Sequence, residues 1–402
     1  MIIPLRYINT YNGVWKDIIK TLLKGTLKEG KYQELFEQKF ASYLGVKHAV
    51  SVCSGRNGLS LILISLSLPK NSEVILPAYT DESVPAVITR LKLKPVFVDI
   101  NKIDFNINPA LIEEKITKQT KVIIATHIFG TPCNLRKILE IAGKYNLSVI
   151  EDAAHALGAK YNDQPVGSFG EAAFFSFSMI KSINTFGGGM VVTNNNILAE
   201  KIRAEIKKYP YPSSFKILKS AIIFFLLNFL TKPVIFRLTL WLPACFLSLF
   251  GFELTRWAGK IKNIWRVATG ETKFTNLQSL VGLKQLADLD ENNYRIISNA
   301  ALLKKNIPHL NTLGNESESK SVFYSFVLKT KSIKKISRYL LLRGVETTFS
   351  LMNHCPSLYK IKGDYPVTAQ AVQTGLQVPV YSSLTSNHML YLADLLTRNR
   401  LM

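Results

Sequence analysis

Short apolar runs alternate with helix-like segments through the first half of the chain, and this alternation is the strongest constraint on its fold. Five apolar runs of strand length, such as EVILPA and LSVIEDA, are separated by segments with the length of helices. Runs this short and this apolar are typical of parallel strands that helices cover on both faces. The sequence therefore predicts an α/β fold whose large domain has three layers, αβα, around a mostly parallel sheet.

Parallel sheets of this kind bind ligands where their strands end. Four polar or turn-forming segments occupy such positions in the predicted sheet, namely Ser54-Gly55, Pro77-Ala78, His127 and Asp152. We therefore expect the functional site at the carboxyl edge of the sheet, where one ligand would meet all four.

The turn Ser54-Gly55-Arg56-Asn57-Gly58 leaves a predicted strand and enters a predicted helix. Its backbone N–H groups and the positive end of the helix dipole suit a phosphate group, and Arg56 adds a cation. The alternative is an ordinary strand-to-helix turn, because glycine turns of this kind are common.

Two charges in the stretch from Val149 to Val192 indicate the chemistry of the site. Asp152 closes the strand in VIEDAAHALGA, and Lys181 lies between two apolar runs in FFSFSMIKSINTFGGGMVV. An aspartate can keep a pyridine nitrogen protonated, and a lysine can hold an aldehyde as a Schiff base. A pyridoxal 5'-phosphate (PLP) site needs both, so the sequence predicts a PLP enzyme with Lys181 and Asp152 as catalytic residues.

Three neighbours of these charges are further candidates. Ser176, five residues before Lys181, is either a second phosphate ligand or a buried strand serine. His155, three residues after Asp152, is predicted to contact the cofactor, although a lone histidine is often structural. The triple glycine at 187–189 permits backbone conformations closed to other residues, so the loop after Lys181 can fold tightly against the site.

The composition fits a cytoplasmic enzyme that does not bind nucleic acid. The chain of 402 residues exceeds one compact core, and its four cysteines show neither a CxxC pair nor metal-ligand spacing, which fits a reducing compartment. The N-terminus lacks the features of a signal peptide. Lys and Arg number 50 against 28 Asp and Glu, a formal net charge of +22 that favours anionic partners such as lipid or substrate. No basic arm, zinc finger or RNP-like motif supports nucleic-acid recognition.

A set of segments resembles, in order and spacing, the DegT/StrS-like nucleotide-sugar aminotransferases. The resemblance covers residues 28–200 and 272–400. It implies a PLP-dependent transferase of fold type I, with a smaller α+β C-terminal domain, that forms a homodimer with shared active sites. It also implies transfer of an amino group from glutamate or glutamine to a keto sugar. We expect that sugar to be linked to a nucleotide or a lipid and to serve the biosynthesis of a polysaccharide, a glycolipid or a secondary metabolite. The segments include SGRNGLSL, EVILPAYT, KPVFVDI, IFGTPCNL, VIEDAAHALGA, VGSFGEAAFFSFSMIKSINTFGGGMVVTN and FTNLQSLVGLKQLADLDE.

Position by position, the resemblance assigns roles to the candidate residues. Lys181 matches the Schiff-base lysine, Asp152 the partner of the pyridine nitrogen, and His155 the residue over the cofactor face. Ser176 and the turn at Gly55-Arg56 match the phosphate contacts. Some members of that family carry histidine in place of the lysine and perform dehydration, so Lys181 favours amino transfer.

Four positions depart from the pattern of that family. Asp81 replaces an aromatic residue that often stacks on the cofactor ring, and Glu271 replaces an asparagine that often reaches the partner subunit's phosphate. Thr348 replaces a common arginine, and Arg56 stands where threonine or serine is common. The resemblance therefore supports the cofactor half of the site more strongly than the sugar-binding half.

An apolar stretch from Phe215 to Phe252 interrupts the resemblance. Its two apolar runs are each shorter than a membrane-spanning helix and have basic residues before, between and after them. Together with Trp241, Trp257 and Trp265 at or beyond its edges, this predicts a helical hairpin that contacts an anionic membrane at the inner face of the cell membrane. A buried dimer or interdomain helix pair is the alternative. The predicted division is 1–208 for the PLP-binding domain, 209–262 for the insertion, and 263–402 for the interdomain helix and small domain.

Two other classes of function remain compatible with the sequence. One is a PLP lyase or decarboxylase on the same fold, and the other is an inactive membrane-associated scaffold. The departures at Asp81 and Glu271 favour the scaffold. The presence of both Asp152 and Lys181 argues against it, because burying either charge unpaired costs stability and neither is needed for packing.

Overall fold

The computed structural model describes residues 1–6, 8, 10–249, 271–315, 318–349 and 352–398. The predicted unit boundary at 262, Trp257 and Trp265 lie outside these residues. The helices are α1 (Val14–Leu23), α2 (Tyr32–Leu44), α3 (Gly55–Ser65), α4 (Ser83–Arg90), α5 (Leu135–Tyr145), α6 (Asn196–Lys207), α7 (Ser214–Leu230), α8 (Pro233–Phe236), α9 (Leu242–Leu249), α10 (Asn276–Ala287), α11 (Leu289–Asn306), α12 (Ile333–Leu342), α13 (Cys355–Leu358), α14 (Pro366–Thr374) and α15 (Ser386–Arg398). The strands are β1 (His48–Val52), β2 (Glu73–Pro77), β3 (Tyr79–Thr80), β4 (Lys94–Val98), β5 (Thr120–Thr126), β6 (Ser148–Asp152), β7 (Lys160–Tyr161), β8 (Gln164–Pro165), β9 (Ala172–Ser176), β10 (Gly189–Thr193), β11 (Ser319–Lys320), β12 (Phe326–Lys329), β13 (Asn353–His354) and β14 (Gly375–Val378).

The central sheet has seven strands in the order β1-β10-β9-β6-β5-β2-β4. Strands β9, β6, β5, β2 and β4 pair in parallel, whereas β10 is antiparallel to both of its neighbours. All strands except β10 therefore run in one direction, as the alternating pattern predicts. Because β10 is reversed, its first residue lies at the same edge as the last residues of the other strands.

Both faces of the sheet are buried, which explains why its strands are almost wholly apolar. Alternate residues of β5 belong to opposite core clusters, with Ile123 and Ala125 on one face and Val122 and Ile124 on the other. Helices α2 and α5 cover the first face, and α3, α4 and α6 cover the second. The predicted three layers result from this double burial.

The C-terminal part forms a smaller α+β unit with its own core. Strands β12 and β14 pair antiparallel, and α12 and α15 pack on them together with the end of α11. Asp99, at the end of β4, connects this part to the large domain. Its carboxylate accepts hydrogen bonds from the backbone N–H groups of Val367 and Thr368, both at 2.9 Å, at the start of α14.

The apolar insertion folds into two helical arms. The first arm is α7, and the second comprises α8, a π-helical turn (Arg237–Trp241) and α9. No single helix in the described residues is long and apolar enough to cross a membrane. The bent pair Ser214–Leu230 and Pro233–Ser248, with 77° between its parts, has the length and composition of a broken span or a re-entrant loop.

One face of each arm packs on the rest of the chain. Ile217, Ala221 and Phe224 of α7 are buried against α1 and α10. In the second arm, the indole Nε1–H of Trp241 donates a hydrogen bond of 2.7 Å to the carbonyl of Leu341, in α12. The interdomain packing that the sequence left as an alternative therefore accounts for the inner face of the hairpin.

The opposite face of the hairpin is apolar and exposed. In α7 the exposed residues recur at helical spacing, and a second series follows the other arm. Phe215 and Val234 are 76% and 72% exposed. Trp15 of α1 stacks on Phe225 with ring centroids 3.3 Å apart, which joins a third apolar helix to this surface. The exposed residues are Phe215, Ile222, Leu226 and Phe229 on the first arm, Val234, Leu238, Leu242 and Phe246 on the second, and Trp15, Ile19, Leu22 and Leu23 on α1.

The glycine triplet holds the loop after Lys181 in a conformation that other residues resist. Gly187 and Gly188 have φ of 115° and 120°. A Cβ on Gly188 would overlap the ring of Phe274, which is fully buried, whereas a Cβ on Gly187 would meet nothing within 4 Å. A Cβ on Gly189 would approach the backbone of Ser54 and Gly55 at 2.9 Å. The triplet therefore lets the start of β10 lie directly against the phosphate turn.

Gly188→Ala should destabilise the protein more than Gly187→Ala. Both substitutions place a side chain at positive φ, which costs roughly 1–2 kcal/mol, and only the first also forces the Phe274 ring to move, at roughly 1–3 kcal/mol more. The free energy of unfolding in urea measures both. Equal destabilisation by the two variants would show that the contact with Phe274 does not constrain the loop.

Candidate active site

A cavity of about 690 Å³ opens at the carboxyl edge of the sheet. Three of the four segments that the sequence places at strand ends line it, namely Ser54-Gly55, His127 and Asp152, whereas Pro77-Ala78 does not. Gly187 and Gly188, directly before β10, also line it. Its volume is in the range of small-molecule pockets. The predicted residues that line it are Ser54, Gly55, Arg56, Asp152, His155, Ser176 and Lys181.

Lys181 and Asp152 influence each other across this cavity. Burial raises the pKa of the Asp152 carboxyl to about 6, although the N–H of Ala154 and the charge of Lys181 both act in the opposite direction. Burial lowers the pKa of the Lys181 amine below its usual range, and the charge of Asp152 partly counters that effect. A shifted lysine beside a shifted aspartate in one cavity is typical of a catalytic site.

The loop that carries Lys181 is fixed by two glutamines of α10. The side-chain amide of Gln278 donates to the carbonyls of Thr185 and Gly187, at 3.1 and 2.8 Å. Gln285 donates to the carbonyl of Asn184 at 2.7 Å and accepts from its N–H at 3.0 Å. Sequence reasoning had assigned neither glutamine a role. Gln278 ends the segment FTNLQ, which resembles the family, but nothing in that segment indicates a contact with the lysine loop.

The turn after β1 has the geometry predicted for a phosphate site. Ser54 caps α3, its hydroxyl accepting from the N–H of Asn57 at 3.1 Å. Gly55 lies against Ser176, whose Cβ would be 3.2 Å from a Cβ on the glycine. The N-terminus of α3, Arg56 and Ser176 therefore meet at one end of the cavity. Asn57 is different, because it is buried behind the turn and does not line the cavity.

His155 takes part in a stack of rings that the sequence did not predict. Its ring is nearly parallel to that of Tyr324, with centroids 4.1 Å apart, and to that of Phe129, with centroids 6.5 Å apart. The Nζ of Lys181 lies 4.6 Å from the centre of the Tyr324 ring. Gly130, with φ of 86°, allows this arrangement, because a Cβ there would come within 2.7 Å of the backbone N of Tyr324.

Arg6 is a further residue that the sequence analysis does not predict. Its guanidinium lies 4.1 Å over the Tyr324 ring and donates to the carbonyl of Tyr324 at 3.0 Å and to the hydroxyl of Ser325 at 2.8 Å. Its charge is close enough to Lys181 to lower the pKa of that amine further. The cavity therefore contains a fixed cation beside the lysine.

The departures from the family pattern have structural consequences. Asp81 lines the cavity, and its carboxylate accepts from the N–H of Ser83 at 2.9 Å at the start of α4. Thr348 also lines the cavity, and its backbone pairs with Gln377. Glu271 is exposed, and its charge raises the pKa of the Cys53 thiol next to the phosphate turn, although burial is the larger cause.

His127 lines the cavity wall but is fixed by structural contacts. Its Nδ1 accepts from the N–H of Cys133 at 3.2 Å, so its Nε2–H donates to Glu151, 3.1 Å away. Glu151 also accepts from the backbone N–H groups of residues 167, 169 and 170. Adjacent residues of a strand point to opposite faces, which explains why Glu151 is structural while Asp152 faces the cavity.

The donor set of the cavity fits PLP. Asp152 can pair with a pyridine nitrogen, Lys181 can bind an aldehyde, and the α3 N-terminus with Arg56 and Ser176 can hold a phosphate. Thr126, at the end of β5, lines the cavity, and its hydroxyl is buried with no hydrogen-bond partner among the described residues. Because buried hydroxyls are rarely left unpaired, this one indicates a polar ligand.

Comparison with known proteins shows the family. Residues 14–397 match the model of the DegT/DnrJ/EryC1/StrS aminotransferase family, and the chain belongs to this family.

Individual relatives agree with this assignment. The chain is similar to an uncharacterised protein, MJ1066, of Methanocaldococcus jannaschii, at 45% identity over 46% of this chain and 48% of that protein, so the match spans about half of it. It is 27% identical to a GDP-perosamine synthase of Escherichia coli O157:H7 over 97% of this chain and 98% of that enzyme. The fold is that of the PLP form of Spr1654 from Streptococcus pneumoniae, with a TM-score of 0.76, 19% identity, and coverage of 98% of this chain and 97% of the other.

These findings confirm three predictions. The fold class is that of fold type I PLP enzymes, the family is one of aminotransferases, and its cofactor is PLP. The roles of the individual site residues are proposals that rest on the geometry described above.

Asp152→Asn should stabilise the cofactor-free protein near neutral pH. The pKa of Asp152 rises from 3.8 to about 6 on folding, so wild-type stability falls as the pH increases between these values and stays reduced above them. The amide carries no charge to bury, so the variant should be more stable by roughly 1–3 kcal/mol at pH 7 and by nothing near pH 4. Urea unfolding across this pH range measures the difference. Asp163→Asn, at an exposed aspartate whose pKa is lowered by Lys320, should show no such gain, and a gain independent of pH would contradict the assignment.

Proposed function

We propose that this protein is a PLP-dependent aminotransferase that moves an amino group from glutamate or glutamine to a keto sugar. The observation that carries the proposal is the placement of Lys181 and Asp152 in one cavity with a phosphate-type turn at its end. Membership of an aminotransferase family supports it, as does the similarity to a GDP-perosamine synthase over nearly the whole length of both chains.

Asp152 and Lys181 have separate roles in the proposed reaction. PLP, when bound, supplies an aldehyde that accepts nitrogen and a ring that draws electrons from the reacting carbon. Asp152 keeps a proton on the ring nitrogen. Lys181, whose amine has a lowered pKa, removes the proton from the α-carbon of the donor as a general base and later returns a proton to the sugar carbon. The donor exchanges its C–N bond for a carbonyl and the sugar does the reverse, so no oxidant is needed.

Arg6 supports an amino acid as the donor. Glutamate and glutamine both carry an α-carboxylate, and a guanidinium fixed beside Lys181 suits a carboxylate. The hydrogen bonds that Arg6 donates to Tyr324 and Ser325 hold it in place, and it still lines the cavity. We propose that Arg6 binds the α-carboxylate and so presents the α-carbon to the lysine.

Lys181→Ala should abolish the visible absorbance of lysine-bound PLP and slow the formation of pyridoxamine phosphate from glutamate. The rate of pyridoxamine phosphate formation should fall by roughly 10²–10⁴-fold, which is the usual contribution of a general base. Absorbance spectra and rapid-mixing kinetics measure both changes. Lys144→Ala, at an exposed lysine paired with Glu113, is the matched control and should behave as wild type. Wild-type protein that forms no pyridoxamine phosphate from either donor would refute the proposed reaction.

We further propose a homodimer in the cytoplasm, with each site completed by the second copy. The resemblance to the family supports the dimer. The hairpin would then hold the enzyme at the inner face of the cell membrane. Its outer face is apolar, and Lys216, Lys219, Lys232 and Arg237 lie on or between its arms, which suits anionic headgroups.

Full-length protein should float with vesicles that contain anionic phospholipid, and substitution of the outer face should prevent this. The double variant Ile222→Asp and Leu226→Asp places two charges on exposed positions, so it should reduce flotation at least tenfold while leaving the core intact, because burial of apolar surface in lipid would be lost. Tyr294→Asp, at an exposed aromatic residue of α11, is the control. Equal flotation of all three proteins would exclude the hairpin as the contact.

A further inference from the structure

The hairpin is a wall of the active-site cavity as well as an exposed surface. Residues from both arms line the same cavity as Lys181 and Asp152. The cavity therefore has an apolar wall in addition to the polar residues that fit the cofactor. The apolar residues of that wall are Ile217, Leu227, Phe236 and Leu240.

The hydroxyl groups on this wall do not change its apolar character. Ser220 donates to the carbonyl of Lys216 at 3.0 Å, and Thr231 donates to the carbonyl of Leu227 at 2.9 Å. Both hydroxyls thus bond to their own helix. A nucleotide needs partners for its base edges and ribose hydroxyls, and a wall of this kind leaves such groups without hydrogen bonds, which is costly.

Two cations also line the cavity. They are Lys216, which precedes Ile217 of the apolar wall in the first turn of α7, and Lys273, whose Nζ lies 4.9 Å from the centre of the Tyr211 ring. Ammonium groups in a cavity suit a diphosphate. The lining thus combines polar groups for a sugar, cations for a diphosphate and an apolar wall for a hydrocarbon chain.

We propose that the keto sugar is carried on an isoprenoid diphosphate, whose chain runs along the apolar wall of the cavity. This inference rests on the proposed aminotransfer and names the carrier of its acceptor. Leu227 lines the cavity, and its neighbour Leu226 is 51% exposed on the outer face. The same helix therefore presents apolar side chains both to the cavity and to the outer face, and a membrane at the outer face is where such a carrier resides.

The identity of the sugar carrier is tested by measuring how tightly different diphosphates bind to the full-length, PLP-loaded protein. Isothermal titration calorimetry compares farnesyl diphosphate, below its micelle threshold, with inorganic diphosphate and with GDP, UDP and TDP. Farnesyl diphosphate should bind at least tenfold more tightly than each of the others, because it alone places a hydrocarbon chain on the wall. A nucleoside diphosphate that binds as tightly or more tightly would overturn the proposal, and so would farnesyl diphosphate that binds no better than inorganic diphosphate.

Matched substitutions separate the cavity wall from the outer surface. Leu227→Ser should weaken binding of farnesyl diphosphate roughly tenfold and leave that of inorganic diphosphate unchanged, whereas Leu226→Ser should leave both unchanged. Leu240→Ser and Leu238→Ser give the same comparison on the second arm, since Leu240 lines the cavity and Leu238 is exposed. Cofactor absorbance and the urea midpoint show which variants are folded.

If the cavity variant and the surface variant of each arm lose the same affinity for farnesyl diphosphate, the hydrocarbon chain lies outside the cavity and the proposal is refuted. Failure of the aminotransfer itself is recognised separately, because formation of pyridoxamine phosphate from glutamate involves no acceptor.

Discussion

The burial of two ionisable groups in one cavity is the constraint on which the rest of the structure depends. Lys181 and Asp152 both have pKa values shifted by burial, so each is held in a state that costs free energy in the absence of a ligand. The surrounding fold keeps them there. Asp152 is the last residue of a strand that is paired on both sides, and the lysine loop is bonded to α10 through Gln278 and Gln285.

The reversed strand β10 makes this placement possible. A chain that leaves β9 at the carboxyl edge and returns through an antiparallel strand needs only a short loop, and that loop stays beside the other strand ends. Lys181 lies in this loop. The glycines at its end allow β10 to begin against the phosphate turn, so the lysine and the phosphate site are positioned by the same few residues.

Most of the residues proposed to bind the cofactor could be predicted from local sequence patterns. Strand ends, a turn that begins a helix and a glycine triplet are short-range patterns, and they identified Asp152, Lys181 and Ser54 without any knowledge of the tertiary structure. The ring stack on His155 did not follow, because Tyr324 and Arg6 reach it from parts of the chain more than 140 residues away. The packing of the hairpin was ambiguous for a related reason. Hydropathy shows that residues avoid water, but it does not show whether protein or another apolar phase covers them.

The hairpin is attached at both of its ends to different parts of the enzyme. Its first arm packs on α1 and α10, and its second arm is bonded to α12 of the small domain through Trp241. The wall that both arms contribute to the cavity is therefore held from two sides, by the large domain through α7 and by the small domain through Trp241.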